Sequence, residues 1–242
     1  MVVQHFGSTL PTGGQRPGTD QALQAARSRL ERITATAASD VASTSYLFGQ
    51  AAGRLSILAS LLSAESASGA IGTRAASTYD QVSAASGTVA SVRKTFMIEG
   101  AQLGAMLAAL QRPGGVIDLS NPYRPSLDTL LEGTLAAEVR VLVAPTVVQT
   151  PLRRAINLLE NSGVRIVLGA TDVGISEVAR AALYGRRLKE LARLFQGVVG
   201  AIDTYHQGIL ASLAALRRDL EQAGARPPAS PASEAISAEV DS

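Results

Sequence analysis

Cysteine is missing from all 242 residues, and with it go disulfides, thiolate zinc sites, iron–sulfur clusters and thiol nucleophiles. Tryptophan is missing as well, and aromatic residues make up only 4% of the chain, so large rings cannot fill a wide interior. Histidine occurs only at His5 and His206, which is too little for a histidine-rich metal site. Charged residues are sparse at 17% and nearly balanced, giving a formal charge of +2. That basic excess is too weak to imply a nucleic-acid partner.

Long apolar runs are also scarce. The longest, Tyr46 to Leu62, is interrupted by Gln50 and Arg54 and falls short of a span of roughly 20 residues. The N-terminal stretch has no basic segment leading into an apolar run, so no signal peptide is expected, and residues 1–18 read as a disordered arm. These readings leave the localisation unknown, a cytoplasmic and a leaderless, particle-associated setting both being compatible with them.

What is present is an apolar content of 46%, much of it alanine. Small side chains let helices approach closely, which favours thin interhelical seams and an elongated, mainly α molecule. From Thr19 and Asp20, read as capping residues, the chain runs without proline to about Ser66, with Leu23, Leu30, Ile33, Leu47, Leu55, Leu58 and Leu62 as apolar positions. Their phase breaks near Asp40 to Thr44, which is compatible with a kink, a coiled-coil discontinuity or a boundary between two helices. Ser66 to Gly72 supplies a turn.

The clearest periodicity follows. Val82, Val89, Phe96, Leu103 and Leu110 lie seven apart, with Ala85, Val92 and Met106 three residues after members of that series. Glu99 interrupts the second series and reads as a carboxylate at the seam edge, reaching solvent. Arg112 to Gly115 ends this helical hairpin, taken as residues 19–112.

Residues 113–172 read differently, as a small α/β insert of βαβ type. Pro122 and Pro125 mark an irregular connection, Ser126 caps a short helix from Leu127, and Glu138 to Val143 is rich in β-branched residues. Thr150 and Pro151 then resemble a helix cap and first helical position, Gly163 a helix stop, and Val164 to Leu168 a second strand. A ligand held by such a unit would sit beyond its strand ends, near Thr146, Thr171 and Asp172, although a partner-binding knob is the stronger expectation.

Residues 173–223 read as one long helix, with Leu188, Leu191, Phe195, Val198, Ile202, Tyr205 and Ile209 three and four apart. The phase then shifts through Leu213, Leu216 and Leu220, as a four-residue stutter would do. Residues 224–242 read as a disordered tail. Three helical tracts, each on the order of 65–75 Å, imply an elongated antiparallel bundle or coiled coil with the insert projecting from one end.

Candidate chemistry is thin. Gly49 and Gly53, and Gly100 and Gly104, have the Gly-x-x-x-Gly spacing of close helix packing, read chiefly as intramolecular. Arg180, Arg186, Arg187, Lys189 and Arg193 form a basic stripe, which the interspersed Glu177 and Glu190 mark as a solvated face. No phosphate loop, dinucleotide fingerprint or nucleophile elbow occurs, so an enzyme would have to rely on Asp172 or His206. No catalytic, cofactor-binding or metal residues are assigned. The expectation is a non-enzymatic structural or assembly protein, a self-associating helical component of a larger particle such as a virion or secretion apparatus. Its interaction seam would comprise Val82, Val89, Phe96, Leu103, Leu110, Leu188, Leu191, Phe195, Val198, Ile202, Tyr205 and Ile209. The expected partner is another copy or another protein. The alternative is a membrane-active protein that exposes apolar helix surface to lipid.

Overall fold

The computed structural model describes residues 17–68, 71–111, 127–168 and 174–226. They form four helices: α1 (Pro17–Ser68), α2 (Gly72–Gln111), α3 (Leu127–Leu168) and α4 (Ile175–Gln222). Each helix packs antiparallel on its neighbour in sequence, and α1 closes the ring against α4 along the thinnest of the four seams. At about 1.5 Å per residue the helices are roughly 60–80 Å long, so the molecule is an elongated up-down-up-down bundle.

The main correction concerns the insert. Among the described residues there is no strand, and the segments read as strands, Glu138 to Val143 and Val164 to Leu168, lie inside α3. β-Branched residues have weak local preferences, and burial of Leu130, Val141, Val148, Leu152, Leu159 and Ile166 along one face outweighs them. Pro145 and Pro151 lie within this helix without ending it, and Gly163 continues it. Thr150 and Pro151 are therefore interior positions, not a cap and a start. Thr19 and Asp20 likewise fall inside α1, which begins at Pro17. The arm to residue 16, the helix end at 112–115, the connection at Pro122, Pro125 and Ser126, and the tail from 227 lie outside the described residues.

α1 is continuous through Asp40 to Thr44, so the phase break there is a discontinuity of packing within one helix. Its inward positions run Leu30, Ile33, Ala37, Val41, Thr44 and Phe48, with two consecutive four-residue steps at Ala37. The same double step occurs at Ala144, Val148 and Leu152 in α3 and at Tyr205, Ile209 and Leu213 in α4. In α2 it falls at Val92, Phe96 and Gly100, where a Cβ on Gly100 would lie 2.8 Å from Val41 Cγ2. Near the middle of the bundle, four stutters meet, and each locally relaxes the supercoil. Past the stutter Leu107 is the core residue of α2, while Met106 is only partly buried, a correction to the heptad series.

The end of α4 is set by local chemistry. Gly224 has φ +99°, its N–H donates to Glu221 O, and Ala225 N–H donates to Leu220 O. This is the paired arrangement in which a left-handed glycine satisfies the last carbonyls, and Ala225 is buried beside it.

Candidate functional surfaces

All twelve residues of the expected seam are buried within this one chain. Val82 to Leu110 on α2 and Leu188 to Ile209 on α4 belong to the same core cluster. A fully buried side chain of this size contributes about 1.5–3 kcal/mol, so this shared interior dominates the stability of the fold.

At the stutter level the core turns aromatic and polar. Phe48 of α1 lies 6.1 Å from Phe96 of α2, Phe96 meets Tyr205 of α4 edge-on at 5.8 Å, and the Tyr205 and His206 rings are 5.1 Å apart. His206 is buried, and its Nδ1 has no hydrogen-bond partner among the described residues; the same holds for Tyr205 Oη. Burial holds the imidazole below its ordinary range, with Asp203 pulling the other way. Burial also pushes the Tyr205 phenol up to about 12, helped by Asp40 and Glu99. The seam-edge carboxylate Glu99 accepts from Arg140 Nη2 at 2.9 Å, and Arg140 also donates to Gln102. A cavity of about 10 Å³, the size of one water, adjoins Glu99, Arg140, Tyr205 and His206. The space between these side chains has no room for an organic substrate. Asp172, the other candidate for acid–base work, and Thr171 lie outside the described residues, while Thr146 is exposed on α3. Among the described residues, no cluster of three or more His, Asp or Glu side chains forms a metal site.

The outer faces carry the open surface. On α3, Val139, Leu142, Val143 and Val147 are 51–62% exposed and recur at helical spacing on the side away from the core. Between α1 and α4, Leu47, Ile57, Leu61 and Leu194 border two adjoining pockets of about 290 and 200 Å³ with Arg54, Arg187 and Arg193 beside them. A third groove, of about 660 Å³, lies between α3 and α4. The basic stripe is thus divided: Arg187 and Arg193 face the α1–α4 side, Arg186 and Lys189 the α3–α4 side, and Arg180 approaches Glu65 at 3.4 Å.

Of the two Gly-x-x-x-Gly pairs, only Gly100 backs a close approach; Gly53 and Gly104 face open space. The decisive glycines are Gly163 and Gly185, on facing helices. A Cβ on Gly185 would lie 2.9 Å from the Gly163 carbonyl oxygen. Sequence reading missed this pair because its members are on different helices and Gly163 resembled a helix stop. No family model, curated protein or solved structure matches this chain.

Proposed function

We propose that the chain is a structural assembly protein that associates, through its outer faces, with copies of itself or with a protein partner in a larger particle. The observation that carries this reading is the apolar stripe of α3. Val139, Leu142, Val143 and Val147 cover one outward strip of a helix whose inner face is already satisfied. Contiguous exposed apolar surface of this kind is stabilised by burial against a partner, at about 25 cal/mol per Å². Because the expected seam is spent on the chain's own core, association in this proposal uses the outer strip.

The test is the mass in solution across concentration, for the native chain and for Leu142→Glu/Val143→Glu. The native chain is expected to rise above 25.0 kDa with concentration, and the variant to remain at that mass with unchanged helicity. A native chain that stays monomeric throughout, and recovers no partner that the variant fails to recover, would overturn the reading.

One observation favours the membrane alternative. α1 contains an 18-residue window long and apolar enough to cross a bilayer, and only 28% of that window is buried. Tyr46 and Ile57 on this helix are exposed. Flotation with vesicles of neutral and anionic composition separates the two readings: lipid association that persists in the α3 variant supports the membrane alternative.

A further inference from the structure

The groove between α3 and α4 is larger than the α1–α4 pockets, and like them it carries cations on its border. Its walls are Val164, Val167 and Leu168 of α3 and Ala182 of α4, and its volume of about 660 Å³ falls in the range of small-molecule sites. Its floor is backbone, because Gly163 and Gly185 bring the two helices together where any larger side chain would fill the space. Ile175, Val178, Ala182, Gly185 and Lys189 recur at three- and four-residue steps, so the apolar strip continues along α4 to its first turn. Both Ile175 and Val178 are exposed. From Ile175 to Lys189 the strip is on the order of 21 Å long, the length of a long acyl chain.

One end of the strip is cationic. Arg186 and Lys189 border the groove three residues apart on α4, and neither is in an ion pair among the described residues. The acidic residue on the opposite border, Glu160, accepts from Gln196 Nε2 at 3.0 Å. Two cations with no ion pair among the described residues, at one end of an apolar groove, match an anionic head on a hydrocarbon chain.

We propose that this groove binds a single-chain anionic amphiphile of the fatty-acid class. The carboxylate lies between Arg186 and Lys189, and the chain runs past Val164, Val167 and Ala182 toward Val178 and Ile175. The groove has backbone for its floor and side chains on both borders, which gives one chain a bed between the two helices. This site goes beyond the assembly reading and uses a different stretch of α3, so either idea can fail alone.

The experiment is calorimetric titration of the full chain with oleate below its micellar concentration, with oleyl alcohol as the uncharged comparison. Expected are one site per chain, weaker binding of the alcohol, and at least about a tenfold loss of affinity in Arg186→Glu/Lys189→Glu, equivalent to the loss of one charge-assisted contact. Val164→Asp, at an exposed position, is expected to weaken binding as well, while Arg54→Glu/Arg187→Glu in the α1–α4 groove and Leu142→Glu/Val143→Glu on the α3 stripe leave it unchanged. Circular dichroism checks that each variant folds. Absence of oleate binding, binding indifferent to the groove variants, or binding only to anionic vesicles in flotation would each overturn the proposal.

Discussion

At the scale of single residues, packing space decides what a side chain contributes. Gly208 faces open space, so Gly208→Ala removes backbone freedom from the unfolded chain at no steric cost and is expected to raise stability by about 0.5–1 kcal/mol. Gly185→Ala meets the Gly163 carbonyl and Val167, and is expected to lower stability by about 1–3 kcal/mol despite the better helix propensity of alanine. Urea midpoints of the two variants check the contrast, and equal shifts of one sign would contradict it. His206 makes a second case. Burial lowers its pKa in the folded state, so the unfolded chain binds the proton more tightly and stability is lost as pH falls through 6.5 toward the lower folded value. The charged groups beside it in the bundle are Asp203 on α4, Arg140 on α3 and Glu99 on α2. Unfolding midpoints measured from pH 8 to 5 are expected to decline in the native chain and to flatten in His206→Leu; parallel curves would refute the assignment. By contrast, exposed ion pairs such as Arg29 with Asp219 contribute about 0–1 kcal/mol.

At the scale of elements, α3 is the helix that local signals describe worst. Pro145 has no N–H to give the Val141 carbonyl, and Pro151 has none for Val147, so each removes one rung of the helix and crowds the carbonyl four residues back. Both lie inside the double step at Ala144, Val148 and Leu152, where the packing phase is already relaxed. Pro145→Ala is expected to raise stability by about 1–3 kcal/mol, read as a higher thermal midpoint. A lower midpoint would mean that the prolines set a helix geometry on which the core depends. The hairpin helices were more legible because the positions in α1 and α2 repeat without proline, and even the break at Asp40 to Thr44 was visible as a shift of phase. Its meaning was not, since a stutter and a helix boundary leave the same trace along one strand of sequence.

At the scale of the whole molecule, the bundle is a closed ring in which each helix covers a face of its neighbours. Phe96 of α2 packs against Phe48 of α1 and Tyr205 of α4, so no pair of helices completes a core alone. A fragment ending at Gln111 is therefore expected to lose cooperative thermal unfolding and most of its helicity by circular dichroism, because the α2 residues that face α3 and α4 are left open. A fragment that unfolds cooperatively with native helicity would show that the α1–α2 hairpin is an autonomous unit.

Amino-acid order by itself determined that this is a mainly helical protein with apolar positions at three-, four- and seven-residue spacing between Val82 and Ile209. Those features follow from local periodicity, and periodicity survives in one dimension. Tertiary structure decided that the region from Leu127 to Leu168 is a fourth helix and not an α/β insert, since burial of one continuous face outweighs two prolines and a run of β-branched residues. It also decided which apolar residues remain outside, at Val139 to Val147 and along the groove floored by Gly163 and Gly185. Inside and outside are properties of the assembled ring, so only the packed helices could separate a chain's own core from the surface it offers to others.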